Sequence, residues 1–208
     1  GKWIIVDLGI TFGSDDTPGI DIILPNPEFI KKNKKNLLGI IITHAHEDHI
    51  GAVGHLWPEL RCPVYSTPFA SAVLKKKIKE LKIKENFIKT IPLDSSFKLG
   101  PFAIDIISTT HSIPEPNAIA IKTKFGNILH TGDWKVDPNP LVGKDFNKKK
   151  LESIENKIVR DSDKEFNYVK NLKKPEFKST PILKQPAEIW ETTWYMYSNY
   201  DQNAYHLT

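Results

Sequence analysis

The chain has 208 residues, of which 39% are hydrophobic and 26% are charged, and its formal net charge is +4. These values are ordinary for one soluble globular domain. No apolar run reaches membrane-spanning length, no secretory signal pattern opens the sequence, and the single Cys62 cannot form an internal disulfide, so we expect a protein of the reducing cytoplasm.

Apolar periodicity and turn residues predict eight strands and three helices along the chain. The strands are expected at 3–8, 20–24, 37–43, 63–66, 87–92, 102–109, 117–124 and 127–131. The helices are expected at 27–33, 50–57 and 68–85. Pro58 should end the second helix, and Gly126-Asn127 should form the tight link between the last two strands. This mix favours two sheets packed face to face with helices outside them.

The third predicted helix decides how the lysine clusters are interpreted. Thr67 should cap this helix and Pro68 should open it. Its buried stripe should consist of Ala70, Val73, Leu74, Ile78 and Leu81, which leaves its lysines on a solvated face. Lysine runs at 31–35, 75–77 and 148–150 could also attract a polyanion. Because lysine is spread over the whole chain, charge alone does not indicate nucleic-acid binding.

The most informative segment lies directly after the third predicted strand. It places His44, His46, Asp48 and His49 within six residues, although the whole chain has only 7 histidines. In extended backbone the side chains at i and i+2 point the same way, so His44 and His46 can reach one ion together. Asp48 and His49 lie past the bend and can face a second ion. Imidazole and carboxylate ligands suit zinc, and the absence of cysteine favours an open, hydrolytic site over a structural one.

Two later strands also lead to residues that can bind metal. The predicted strand at 102–109 leads to His111, and the strand at 127–131 leads through Gly132 to Asp133. Alone, neither residue is informative, since Gly-Asp is ordinary turn chemistry. Together with the first cluster, they supply the missing pieces of a two-metal site.

Five separated segments follow one another in a distinctive order along the chain. They are Val6–Gly9, Pro18–Pro25, Ile42–Ala52, His111–Pro114 and His130–Lys135. In this order they resemble the metallo-β-lactamase superfamily, and within it the ribonuclease J family of the β-CASP branch. The likeness covers about residues 1–150. It implies an α+β fold, the αββα sandwich of the metallo-β-lactamase type.

By position, the resemblance implies two zinc ions per site. One ion would be bound by three histidines, His44, His46 and His111. The second would be bound by Asp48 and His49, with Asp133 bridging both ions. The residues expected to be catalytic are Asp48, His49 and Asp133.

Three further residues are expected to support these ligands. Asp7 would hold the loop without binding metal. His130 and Ser112 would lie behind the ligands or on the phosphate side of the site. A metal-bound hydroxide would then attack a phosphodiester bond of RNA.

The sequence also departs from this family. The family inserts a β-CASP lobe after the position of Asp133, whereas only 75 residues follow Asp133 here. We therefore expect a partial fold in which the β-CASP lobe and the closing half, with the final histidine of the second metal site, are missing. His206 is not in a context that resembles the closing segment. The expected organisation is a metallo-β-lactamase-like domain at 1–155 and an unassigned tail at 156–208. Because the chain begins at Gly1, directly before the predicted strand at 3–8, the leading strands of the family are also expected to be absent.

Three hypotheses about function stay open at this point. The first is a zinc-dependent ribonuclease, with exo- or endonuclease cleavage, whose activity truncation could cripple. The second is another hydrolase of the same fold, such as a thioesterase of the glyoxalase II kind. The third is a non-catalytic truncated remnant, which either keeps one metal position for stability, with one zinc ion if the second site is incomplete, or serves to bind a partner. RNA is the expected partner in the first hypothesis, no membrane partner is expected, and self-association into a homo-oligomer is left open.

Overall fold

The computed structural model describes residues 1–135, 137, 139–153 and the strand at 194–197. The strands are β1 (Trp3–Val6), β2 (Thr11–Phe12), β3 (Ile22–Ile23), β4 (Leu37–Ile41), β5 (Val64–Ser66), β6 (Ile88–Thr90), β7 (Ser96–Leu99), β8 (Phe102–Ser108), β9 (Asn117–Thr123), β10 (Gly126–His130) and β11 (Trp194–Tyr197). The helices are α1 (Glu28–Lys32), α2 (Glu47–Ile50), α3 (Val53–Leu60) and α4 (Pro68–Glu80), with a 3₁₀ turn at Lys34–Asn36. Residues 148–153 are also helical.

The first sheet has the strand order β11-β1-β4-β5-β6. Strands β1, β4, β5 and β6 are parallel, and β11 pairs antiparallel with β1 at the edge. All four residues of β1 are buried, as expected for a parallel strand covered on both faces. Val6 pairs with Ile41, so β1 and β4 end side by side. The segments that follow them therefore leave the sheet at the same edge.

The second sheet is antiparallel, with the order β10-β9-β8-β7. Because β8 and β10 both pair antiparallel with β9, they run in the same direction and end at the same edge. His111 follows the end of β8, and Asp133 follows the end of β10. A separate two-stranded hairpin of β2 and β3 lies between β1 and α1 in the chain.

The core is divided into layers by the two sheets. Between the sheets, a buried cluster joins Ile4, Val6 and Ile41 of the first sheet to Ile104, Ile106, Ile119 and Ile121 of the second. On the outer face of the first sheet, Ile5, Ile40 and Val64 cluster with the helix residues Ile30, Leu56, Leu74 and Ile78. On the outer face of the second sheet, Leu151 of the helical segment at 148–153 packs against Ile107, Ala118 and Ala120. The layer order confirms the predicted αββα sandwich; among the described residues, the helical segment at 148–153 forms the last layer.

Several sequence predictions about local structure are wrong. The helix around Pro58 does not end there: α3 continues to Leu60, and Arg61 ends it with a left-handed φ of 50°. Pro58 lacks the amide hydrogen that would donate to the carbonyl of Gly54, and the helix ends two residues later. The link between the last two strands is Lys124-Phe125, because Gly126 and Asn127 already belong to β10. The short strands β2 and β7 are not among the predicted ones.

The predicted α4 is confirmed over most of its length, but both of its ends differ from expectation. Its buried residues include Ala70, Leu74 and Ile78, as predicted. Leu81 lies beyond the last helical residue and is 43% exposed. Thr67 occupies the N-cap position without a side-chain capping bond. The amide N–H of Phe69 instead donates to Oε2 of Glu115 at 2.7 Å.

Some predictions concern residues that the structure does not describe. Apart from β11, the tail at 156–208 lies outside the described residues. His206 is one of the residues that are not described. Within the described part, no helix is long and apolar enough to cross a membrane.

Candidate metal centre

The loops at the ends of β4, β8 and β10 bring four histidines and an aspartate together. His44, His46 and His111 each offer one ligand atom, and these atoms lie within 4.8 Å of one another. The ring centroids of His44 and His46 are 4.7 Å apart, and those of His46 and His111 are 4.9 Å apart. The structure thus brings together the same three histidines that the sequence assigns to one ion.

A second group of potential ligands consists of His44, His49 and Asp133, whose ligand atoms also lie within 4.8 Å of one another. Oδ2 of Asp133 is 3.5 Å from Nε2 of His49 and 3.7 Å from Nε2 of His111. Asp133 therefore lies between the two histidine sets, where the sequence prediction places a bridging carboxylate. His44 belongs to both groups, which the sequence analysis did not anticipate.

Asp48 occupies a less central position than expected. Its Oδ2 is 3.6 Å from Nε2 of His49, but Asp48 is in neither of the two three-residue groups. Helix α2 begins at Glu47, so Asp48 and His49 are both helical. Because consecutive helical residues point about 100° apart, the two side chains cannot face the site together. His49 turns inward and is buried, whereas the side chain of Asp48 is 48% exposed. Its role as a ligand stays a prediction.

The carboxylate of Asp7 orients His49 directly and His44 through Thr43. It is buried, and its backbone has a left-handed φ of 60°, which aspartate tolerates better than most residues. Oδ1 accepts the amide N–H of Thr43 at 2.8 Å. Oδ2 accepts hydrogen bonds from the Thr43 hydroxyl and from Nδ1–H of His49, both at 2.7 Å. Through these contacts Asp7 holds the loop that carries His44. That Asp7 is not itself a ligand stays a prediction.

This network also fixes which ring nitrogens face the site. Because the Thr43 hydroxyl donates to Asp7, it accepts from Nδ1–H of His44, which lies 2.9 Å away. Both His44 and His49 therefore carry a proton on Nδ1 and turn Nε2 toward the other ligands. A carboxylate behind a metal-binding histidine acts in this way in many proteins, and here one carboxylate serves two histidines.

The electrostatics of the site fit a divalent cation. Burial, together with the neighbouring His49 and His46, lowers the pKa of His44 to about 3, so its ring is neutral. Burial also lowers the pKa of His111. For His49, burial acts against the charged ring, but the hydrogen bond and charge of Asp7, with Asp48 and Asp133, raise its pKa to about 9. Carboxylates therefore stabilise positive charge beside neutral imidazole nitrogens, which is the donor set that zinc-like ions prefer.

Gly9 allows two backbone segments to approach closely at the site. The amide N–H of Leu8 donates to the carbonyl of His49 at 2.7 Å, and that of Ile10 donates to the carbonyl of Glu47 at 3.0 Å. A Cβ atom on Gly9 would lie 1.6 Å from the carbonyl oxygen of Asp48. Only glycine fits here, which gives a physical reason for the Gly in the Val6–Gly9 segment.

The remaining predicted residues lie at the margin. Ser112 is exposed on the loop after His111. His130 is partly buried, burial lowers its pKa, and its Nδ1 accepts the amide N–H of Gly132 at 3.2 Å. His130 therefore shapes the turn that carries Asp133. The proposed phosphate-side roles of Ser112 and His130 stay predictions.

Sequence reasoning missed two threonines that hold the ligand loops. Thr43 is the buried link between Asp7 and His44, as described above. The hydroxyl of Thr110 donates to the carbonyl of Lys135 at 2.5 Å, and the amide N–H of Lys135 donates to the carbonyl of Thr110 at 2.7 Å. The signal in both cases was a polar residue at the end of an apolar strand, immediately before a predicted ligand.

The chain is similar to proteins of the metallo-beta-lactamase superfamily. The sequence profile of the metallo-beta-lactamase superfamily matches residues 1–151. The chain is 44% identical to ribonuclease J of Sinorhizobium meliloti over 143 residues, which are 68% of this chain and 25% of that protein. It is 41% identical to ribonuclease J of Helicobacter pylori strain 26695 over 140 residues, or 66% of this chain and 20% of that protein. With ribonuclease J of Thermus thermophilus the identity is 32% over 148 residues, or 67% of this chain and 26% of that protein. The chain thus spans about a quarter of the length of these relatives.

Proposed function

The chain belongs to the metallo-β-lactamase superfamily, and we propose that it is a zinc-dependent hydrolase that cleaves phosphodiester bonds of RNA. The observation that supports this most is the pair of overlapping ligand groups that share His44, in a chain similar to several ribonucleases J. We place the proposed activity in residues 1–155, which extend just beyond the segment that the family profile matches.

The chain's own residues have distinct parts in this proposal. His44, His46 and His111 would hold one ion, and His49 and Asp133 would face the other. Through the Nδ1 contacts, Asp7 and Thr43 orient His44 and His49 so that Nε2 of each ring faces the other ligands. A bound divalent ion supplies Lewis acidity and lowers the pKa of coordinated water.

The catalytic roles predicted from the sequence are retained for three residues. Asp133 lies between the two histidine sets, and His49 is fixed by Asp7 on one side while it faces Asp133 on the other. Asp48 is half-exposed at the mouth of the site, 3.6 Å from His49. At this position its carboxylate would lie beside the second ion, next to His49.

Two residues beside the site suit a single-stranded nucleic acid. Trp134 directly follows Asp133 and is 50% exposed, and Lys135 is also exposed. An exposed indole offers a surface on which an unpaired base can stack, and an ammonium group beside it can pair with phosphate. Thr110 holds the backbone of Lys135 by two hydrogen bonds, so this surface has a fixed position relative to His111.

The test is hydrolysis of a 5′-monophosphorylated RNA by the zinc-loaded chain, with the products resolved by size. His46→Ala and Asp133→Ala should abolish cleavage. His55→Ala is the matched control, because His55 is an exposed histidine of α3 outside both ligand groups, and it should leave cleavage unchanged. Equal activity in all four proteins would reject the proposal.

The same proteins distinguish the alternatives. Turnover of a thioester with RNA left intact would select a hydrolase of the glyoxalase II kind. One bound ion per chain with no hydrolysis of either substrate would select a non-catalytic metal-binding protein. Release of single nucleotides would indicate an exonuclease. Discrete long fragments would indicate an endonuclease.

A further inference from the structure

A buried asparagine connects the three loops that carry the candidate ligands. Asn117 opens β9 and is 1% exposed. One N–H of its side-chain amide donates to the carbonyl of Thr43 at 3.1 Å, and the amide also donates to the carbonyl of Glu115 at 2.7 Å. Thr43 precedes the first ligand, His44, and Glu115 lies on the loop that begins at His111. A single planar amide therefore sets the distance between the first two ligand loops.

The third loop meets the same residue through its backbone. Gly132 precedes Asp133 and has a left-handed φ of 59°. A Cβ atom on Gly132 would lie 2.8 Å from the carbonyl oxygen of Asn117 and 3.3 Å from Cβ of Thr43. The Asp133 loop thus packs directly on Asn117 and Thr43, with no room for a side chain between them.

The Glu115 contact stabilises an unusual backbone conformation. Glu115 has a left-handed φ of 55°, which is unfavourable for a residue with a side chain. Its carbonyl is held by Asn117, and its carboxylate accepts the amide N–H of Phe69 at 2.7 Å. The loop from His111 to Asn117 is consequently fixed at its far end by two hydrogen bonds. No residue of this network is a candidate ligand.

We propose that Asn117 is a positioning residue, which keeps the three ligand loops at the spacing that a divalent ion requires. The inference rests on the metal-binding part of the proposed function and is independent of whether the substrate is RNA. Residues that hold ligands in place typically change metal affinity about 10- to 100-fold when they are replaced. Asn117→Asp is the sharpest change, since a carboxylate of the same size offers no donor to the carbonyls of Thr43 and Glu115.

The experiment measures zinc affinity by competition with a chromophoric chelator, and the absorption spectrum of the cobalt-substituted protein. Asn117→Asp should bind zinc about 10- to 100-fold more weakly than the wild type and should shift the cobalt bands. The matched control is Ile121→Ala, on the same strand but in the core between the sheets. It should lower the unfolding temperature while the folded protein keeps the wild-type zinc affinity and cobalt spectrum.

A second variant covers the case in which Asn117→Asp does not fold. In Gly132→Ala, the new Cβ would lie 2.8 Å from the carbonyl oxygen of Asn117 and would push the Asp133 loop away from it. This variant should also weaken zinc binding and shift the cobalt bands. Wild-type affinity and spectrum in either folded variant would overturn the inference and leave the proposed function intact. A wild-type chain that binds no zinc would overturn both.

Discussion

Replacing Asp7 by asparagine should disturb the candidate metal centre without removing any of its ligands. The change removes one charge, keeps the side-chain volume, and turns one of the two oxygen acceptors into a donor. If the amide oxygen stays on the Thr43 N–H, the new amide nitrogen faces the Thr43 hydroxyl and Nδ1 of His49, each 2.7 Å from Oδ2 in the wild type. His49 must then accept at Nδ1 and carry its proton on Nε2, which turns away a metal ion.

The size of the effect follows from the contacts of Oδ2. Asp7 is buried, so water does not compensate for the lost charge. Hydrogen bonds to a charged group contribute about 1.5–3 kcal/mol each and neutral ones about 0.5–1.5 kcal/mol, so exchanging both contacts of Oδ2 for neutral ones should lower the free energy of unfolding by about 2–3 kcal/mol. Zinc affinity should fall about 10- to 100-fold, as for other residues that orient metal-binding histidines.

Urea denaturation of the metal-free protein measures the first effect, and zinc competition measures the second. Nitrogen-15 NMR of the histidine rings reports the position of the proton on His49. Asp16→Asn is the matched control, because Asp16 is exposed in a turn, and it should change none of these quantities. An Asp7→Asn variant with wild-type stability, wild-type zinc affinity and a proton still on Nδ1 of His49 would show that Asp7 does not orient this ring.

Three further predictions concern packing, acid stability and thiol reactivity. Gly9→Ala should lower both the unfolding temperature and zinc affinity, because its Cβ would lie 1.6 Å from the carbonyl oxygen of Asp48; unchanged values would contradict the close approach. Burial opposes ionisation of Asp94, but hydrogen bonds from Ser108, Asn147 and Lys144 hold its pKa below the ordinary 3.8. Because the pKa is lower in the folded state, the ionised carboxylate stabilises the fold above pH 3.8, and this stability is lost as the pH falls through the folded pKa. Asp94→Asn should therefore reduce the loss of unfolding free energy at acid pH, measured by urea denaturation. An unchanged pH dependence would argue against these hydrogen bonds. Burial raises the pKa of Cys62 to about 12, so a disulfide reagent at pH 8 should label it only after unfolding; rapid labelling of the native protein would show that the thiol is accessible.

The parts of this site that sequence could predict are those encoded by local spacing. His44 and His46 lie two residues apart at the end of an extended segment, so their shared direction follows from strand geometry. His111 and Asp133 follow apolar strands, and the structure places both beside His44, as the sequence predicted. The αββα layers also follow from the order of strands and helices.

The parts that sequence could not predict depend on contacts between distant segments. The capping of α4 comes from Glu115, which is 46 residues away from Phe69 in the chain, while Thr67 at the N-cap position makes no capping bond. The placement of Asp48 was missed because the start of α2 at Glu47, rather than near residue 50, decides which side chain turns inward.

Calorimetric titration with zinc shows most directly whether the four histidines and Asp133 form one metal centre. The wild-type chain should bind zinc tightly, and His46→Ala should lose one ion, because His46 belongs to one group only. His44→Ala should lose the same ion as His46→Ala, because Nε2 of His44 can bind only one ion while Nδ1 is held by Thr43. Wild-type zinc stoichiometry and affinity in folded His44→Ala would show that His44 is not a ligand.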